Sequence, residues 1–476
     1  MPTKRGVAIT SGRIVAGIVG IGIAAVTIAA AGRLDLPNVT IEPQSILVNP
    51  IAGDQSIVCP GPLLALAQNA DAATAVGSFG QPSTEYAAQG DTATTQSIVA
   101  PDNTSASADG GPLVVTVKGG GDHQTPLSGA QSQRAAQAEI SGLAAAACNP
   151  SSGEAWLVGG SSDTGRTTLV LLSNPSAVDA NVSLEIFGAN GRIEAPGATG
   201  IVVPPNTQRV VPLTGLAPNE VTPVVHVTSQ GGQIVAALQQ STVRVLTPGG
   251  VEVVGPTTSP STAVTIPGLV VTSPAGPAAS SDTTSVDDRA TALRLLAPGT
   301  QSTRVVITAF KEDGTAAMDK IDATLTPGVP GEIALADLPV GTFTLQVTAD
   351  HPIVAAARSN SRSEQAEDFA WFAGSSSLDA DFVFSTPTGP GPVLHLFNST
   401  TVDATVEIST GSGTPVTAKV KAGSAGVVPV QGGQNYQVSG RAGLYASVSL
   451  ASPGAIASFP VNPPNPLAAP IEVHPR

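Results

Sequence analysis

The sequence of 476 residues predicts an all-β protein, an N-terminal transmembrane helix followed by tandem Ig-like β-sandwich modules. Three observations carry this expectation: one long uncharged run near the N-terminus, apolar/polar alternation of period two between turn residues, and self-similarity along the chain. Composition agrees with it. The 51 glycines and 41 prolines leave little room for long helices, and only 12% of residues are charged. A hydrophobic content of 41% is too high for a chain kept unfolded by charge. The length suffices for several domains of roughly 100 to 200 residues.

Residues 1–13 carry Lys4, Arg5 and Arg13 with no acid, and residues 14–31 follow without a charge. An 18-residue helix rises about 27 Å, close to the ~30 Å hydrocarbon core, and the basic flank stays cytoplasmic. The bulk of the chain is then extracytoplasmic. Ala29-Ala30-Ala31 before Gly32 also fits signal-peptidase cleavage, so a secreted product is the alternative to an anchor.

The repeats set the modules. Residues 174–182 (NPSAVDANV) match 398–406 (NSTTVDATV) without a gap, and a tryptophan block precedes each, Trp156-Leu-Val-Gly-Gly and Trp371-Phe-Ala-Gly-Ser. Between them, 293–300 (LRLLAPGT) echoes 169–176 (LVLLSNPS), and Asn190-Gly191 corresponds to Asp313-Gly314, dipeptides that favour hairpin turns. Residues 225–237 resemble 345–356, with one residue fewer in the loop. Val182, Leu184 and Ile186 alternate with Ser183 and Glu185, which marks a strand with one buried face. The expected map is a basic segment 1–13, a membrane or signal segment 14–31, and a cystine-containing β module 34–152 with a long polar loop over 78–111. β-Sandwich repeats follow at 153–255, 279–363 and 364–460, with a Pro/Ser/Thr linker at 256–278 and a Pro-rich tail at 461–476. A helix over 131–147, rich in Ala and Gln, competes with the strand reading there.

Cys59 and Cys148 both follow the membrane segment, and an oxidising exterior makes a disulfide the expectation. Closing a loop of that span stabilises by about 4 to 5 kcal/mol in the chain-entropy model.

The Trp-(Phe/Leu)-x-Gly-x-Ser-Ser string, the Leu-x-Asn-Pro and Val-Asp-Ala-x-Val elements, Val203-Pro204-Pro205 and Ile-Val-Ala-Ala together resemble exported repeats of actinobacterial envelope proteins. With the N-terminal anchor and Cys59-Pro60-Gly61-Pro62, the chain resembles a membrane-anchored actinobacterial family of unknown function. The resemblance implies an envelope-facing protein and brings no catalytic residue.

Local chemistry is sparse. Asp163-Thr164-Gly165 has the aspartic-protease string without a second copy, and it reads as a turn. The five histidines, His123, His226, His351, His395 and His474, lack metal-ligand spacing, and GxSxG and SxxK nucleophile motifs are missing. Lys118-Gly-Gly-Gly is a loop without the P-loop ending, and Asp287-Asp288 and Asp379/Asp381 lack calcium-loop spacing. Trp156 and Trp371 would stack on sugars if exposed and pack a core if buried. The net charge of −14 with six lysines argues against nucleic acid. The expectation is a non-enzymatic envelope spacer or interaction protein without cofactor. It is held to the membrane by its N-terminal helix and faces an envelope protein or a cell-wall glycan. Glycan binding and an envelope hydrolase with an unrecognised site are the alternatives.

Overall fold

The computed structural model describes residues 53–462 apart from 67–74, 91, 120–124, 273–286, 379–380, 412 and 441, together with 19, 22, 23, 26, 46–48 and 471–473. The chain forms two compact units, Met1–Pro50 with Ala468–Arg476, and Ile51–Leu467. In the first unit Ile46–Val48 pairs antiparallel with Ile471–Val473. The expected membrane segment 14–31 lies outside the described residues except Val19, Gly22, Ile23 and Val26, which are helical. Among the described residues no helix is long and apolar enough to cross a membrane.

The second unit is built from antiparallel strands in four modules of one design. The module after residue 152 shows it in full. Its strands are Glu154–Val158, Arg166–Asn174, Ala180–Gly188, the short pair Gly191–Ile193 and Ile201–Val203, Thr207–Pro212, Val224–Gly231, Val235–Arg244 and Thr247–Val254. With the short pair counted as the fourth strand, the first, sixth, third and fourth form one sheet, and the fifth, second, seventh and eighth form the other. The last module repeats this order with Phe382–Thr386, Val393–Asn398, Ala404–Ser409, Val416–Val420, Ala425–Pro429, Gln434–Ser439, Leu444–Ser452 and Ala455–Val461. In the third module, Gly341–Arg362 is one 22-residue strand that serves as both sixth and seventh, which explains the shorter loop seen in the repeat. The first module keeps Gln55–Cys59, Ser83–Ala88, Thr94–Ser97, Leu113–Val117, Leu127–Ala136 and Ser141–Ala147 in the first, second, third, sixth, seventh and eighth places, and among the described residues lacks the fourth and fifth.

The four eighth strands pack in a cycle: 141–147 against 247–254, then 367–373, then 455–461, and back against 141–147. The modules therefore close into a ring around these inner strands. Cores run across module boundaries: Leu169, Leu171 and Val253 of the second module share a cluster with Ala144 and Ala146 of the first, and Ala130 and Leu143 join the core of the last.

Several expectations change. The chain is not a string of sandwiches, because long-range packing of inner strands joins first to last. The supposed linker 256–278 contains Ser261–Val271, an edge strand paired with 341–353. Its lack of charge reflects burial rather than a connector, and Pro267-Gly268 sits where the register shifts, so the missing proline N–H costs no ladder bond. The polar stretch 78–111 holds strands Ser83–Ala88 and Thr94–Ser97, and 131–147 falls in the hairpin of Leu127–Ala136 and Ser141–Ala147 rather than in a helix. Residues 367–373, assigned to the last sandwich, complete the third module's sheet. Trp156 thus lies on a first strand and Trp371 on an eighth, so the two tryptophan blocks are not equivalent in the fold. Of the span 34–52 counted with the first module, only Ile46–Val48 is among the described residues, and it belongs to the other unit with the strand Ile471–Val473 of the expected tail 461–476. Of the turn dipeptides, only Gly191 and Gly314 take positive φ, so neither forms the expected two-residue left-handed turn. The strand order also departs from the Ig arrangement: consecutive first and second strands lie in different sheets here, whereas strands A and B of an Ig domain are neighbours.

The Val-Asp-Ala repeat has a physical basis. Asn174 and Asn398 are buried, and each donates to two carbonyls, Val178 and Val203 at 2.8 Å each, and Val402 and Val420 at 2.9 and 3.1 Å. Each side-chain oxygen accepts from the backbone N–H and the hydroxyl two residues on, Ser176 or Thr400. One amide satisfies the whole turn between second and third strands.

Candidate functional site

The innermost strand of each radial sheet has no further strand on its axial side, so its N–H groups need another acceptor. Asp368, fully buried at the start of the third module's inner strand, supplies one. Its Oδ2 accepts the N–H of Leu143 at 2.8 Å and of Ile456 at 3.1 Å, and its Oδ1 accepts that of Val251 at 3.2 Å. One carboxyl group thus binds the inner strands of the three other modules. Burial raises its pKa well above the usual carboxylate range against the opposing pull of these N–H groups and that of Phe369. Gly142 and Gly250 make room for it: a Cβ on either would stand 2.5 or 2.9 Å from Asp368 Oδ1, and both have positive φ, 146° and 120°.

Two residues further along the strands, the pattern recurs with Glu252 of the second module. Its Oε1 accepts the Val253 N–H at 3.1 Å, the Ala145 N–H also favours its charged form, and Oε2 has no hydrogen-bond partner among the described residues. Its pKa is raised well above normal, first by burial and then by Asp368. Two carboxyl groups from different modules therefore converge on the axis. Neither has exposed surface, so they fill a sealed core rather than a cleft. Sequence reasoning missed both; the available signal was an acid leading into or lying inside an apolar run, Gly250-Val-Glu-Val and Glu367-Asp368-Phe-Ala-Trp.

A second buried cluster joins the second and third modules. Arg294 donates from Nε and Nη2 to Glu332 Oε1 at 2.9 and 2.6 Å and from Nη1 to the carbonyls of Gly160 and Pro223, both at 2.9 Å. Arg358 reaches Glu332 Oε2 at 3.5 Å. Both guanidinium groups lie over the Trp371 ring, 4.6 and 5.5 Å from its centroid, and Trp371 Nε1 donates to Gln240 at 2.8 Å. Burial lowers the Arg294 pKa, opposed by Glu332. Trp156 is buried too, stacked on His226 at 4.0 Å, and that imidazole lies between Glu154 and Glu185 at 2.8 and 3.2 Å. Neither tryptophan offers a surface platform.

Cys59 and Cys148 form a disulfide with Cα atoms 4.0 Å apart, tying the first strand of the first module to the end of its eighth. Cys148 also lines a cavity of about 260 Å³ with Gln55, Asn149, Phe384, Phe459 and Asn462.

The remaining motif residues stay apart. Asp163 lies in a turn closed by the Arg166 N–H on its carbonyl. Asp288 pairs with Arg166 and Arg244, Lys118 pairs with Asp54, and Asp379, His123 and His474 lie outside the described residues. His351 is half-buried, and His395 is buried. Among the described residues no group of three or more His, Cys, Asp or Glu side chains is placed to hold a metal ion.

Sheets closed on a polar axis, with acids sealed from solvent, define a four-module all-β scaffold. The chain belongs to the family of unknown function DUF5719, whose model matches residues 99–431. No curated protein matches it. Among solved structures, an anti-sigma factor domain-containing protein from Clostridium clariflavum is similar at 9% identity, covering 86% of this chain and 97% of that one, with a TM-score of 0.12.

Proposed function

We propose that this protein is a non-enzymatic scaffold of the cell envelope, anchored by its N-terminal segment, with the ring as a rigid extracytoplasmic head that holds or spaces other envelope components. The observation that carries the reading is the Asp368 carboxyl group, which locks the inner strands of all four modules into one body. Gly53 and Asn462, near the two ends of the ring, line one cavity. The basic flank and uncharged run of residues 1–31 favour export. The burial of Glu252 and Asp368 favours a structural over a hydrolytic role, and the burial of both tryptophans leaves the glycan reading without its stacking surface.

A C-terminal reporter fusion tests the location, and titration calorimetry of the full chain against peptidoglycan and arabinogalactan fragments tests the role. An externally active reporter with no saturable heat is expected. A reporter retained inside the cell, or saturable glycan binding, would overturn the proposal.

A further inference from the structure

In the three complete modules the outer edge of the second strand is covered by an antiparallel fifth strand: Thr207–Pro212 on Arg166–Asn174, Gly331–Ala334 on Ala292–Leu296, and Ala425–Pro429 on Val393–Asn398. Among the described residues the first module has no such strand. After its third strand, the chain that would supply it turns to the neighbouring module. There Val99 bridges Thr207 in parallel, donating to Asn206 and accepting from Gln208 at 3.0 and 2.8 Å. Asp102 fastens this detour by accepting from Arg209 Nε at 2.8 Å and from the Val210 N–H at 2.9 Å. The second strand, Ser83–Ala88, is consequently paired only on its inner side, with Leu127–Ala136, among the described residues. Its sequence STEYAA carries neither lysine nor proline, and Glu85 is its one charged residue.

A groove of about 660 Å³ opens at the Ser83 end of this sheet, between it and the last module, lined by Phe79, Ser83, Ser132, Arg134, Leu143 and Thr388. Arg134 is exposed, and its guanidinium makes no ion pair or side-chain hydrogen bond among the described residues. In the sister modules the C-terminal end of the fifth strand lies at the N-terminal end of the second, as in the pairing of Pro212 with Leu169. A strand added to Ser83–Ala88 in that sense brings its C-terminus to the groove and to Arg134. A guanidinium there is matched to a terminal carboxylate.

We infer that the open edge Ser83–Ala88 and the Arg134 groove form a docking site for the extended C-terminal tail of a partner protein. The tail adds as a missing fifth strand and ends with its free carboxylate on Arg134. The three sister strands show the occupant's shape. A second copy of this chain fits less well, because a six-residue edge of about 20 Å buries far less than the roughly 1,000 Å² of a specific interface between folded bodies. The site does not depend on where the chain is held in the cell.

The test uses the full chain and a labelled hexapeptide of the sister sequence Thr-Gln-Arg-Val-Val-Pro, made with a free carboxylate and as the amide. Anisotropy should show saturable binding of the carboxylate form and roughly tenfold weaker binding of the amide. Hydrogen exchange should slow within residues 83–88 on binding. Arg134→Gln should erase the difference between the two peptides while leaving amide binding unchanged. Absence of saturable binding, binding without protection of 83–88, or a carboxylate preference that survives Arg134→Gln would overturn the site. A free chain that sediments as a dimer with 83–88 already protected would overturn it too, by assigning the edge to a second copy.

Discussion

The backbone N–H of Leu143 donates to the carboxyl group of Asp368 at 2.8 Å across 225 positions of sequence. This bond belongs to the closure of the ring, since Leu143 lies in the first module and Asp368 in the third. The same carboxyl group holds Val251 and Ile456.

Removing that acceptor strands three buried N–H groups. Asp368→Ala should destabilise the protein by about 3 kcal/mol or more, and Asp368→Asn by less, because one amide oxygen remains. Urea unfolding monitored by tryptophan fluorescence, with Trp371 three residues away, measures both.

The glycines facing Asp368 are constrained by space as well as by φ. Gly142→Ala and Gly250→Ala should each cost about 2 kcal/mol or more. Gly80→Ala, at φ 76° but with nothing within 4 Å of its Cβ, should cost only the roughly 1 kcal/mol of backbone strain. Thermal melts of the three variants rank the effects.

His395 sets a limit at acid pH. Burial lowers its pKa to about 4, and its Nδ1 has no hydrogen-bond partner among the described residues, while Nε2 meets Ser449 Oγ at 2.7 Å. The unfolded chain takes up this proton near pH 6.5 and the folded chain only near pH 4, so stability falls as pH drops through that window. The loss is about 3 kcal/mol. Urea unfolding at pH 7, 5.5 and 4 should show it, and His395→Gln should flatten it.

Glu252 works in the opposite direction. Its folded pKa is raised, so its contribution is fully present below the unfolded value near 4 and is lost as pH rises through the folded one. Glu252→Gln, which stays neutral, should therefore gain stability over the parent protein at pH 8 and gain little at pH 4, as measured by the same unfolding series.

Cys59 and Cys148 close an 89-residue separation within the first module. The double Ser variant should lose about 4 kcal/mol by the chain-entropy estimate. Non-reducing peptide mapping verifies the bond, and unfolding with and without dithiothreitol measures its worth.

Many of the strands and the modular repeat were legible in the chain because they are local. Alternation such as Val182, Leu184 and Ile186 needs only neighbouring residues to specify a face. The Asn174 and Asn398 turns are likewise complete within about 30 residues. The axial carboxyl groups were not legible, since nothing near Glu252 or Asp368 in sequence distinguishes a sealed acid from a solvated one. The strand 261–271 was misread for a related reason: a segment without charge reads as a connector until the sheet it joins is known.

From its amino-acid order alone, then, this protein is a β-rich repeat chain with two cysteines and a basic stretch followed by an uncharged run near its start, because periodicity, turn chemistry and composition act over short distances. Ring closure, burial of Asp368 and Glu252, and the bare edge at Ser83–Ala88 arise only when segments hundreds of residues apart are brought together, and hydrogen-bond satisfaction across module boundaries decides them.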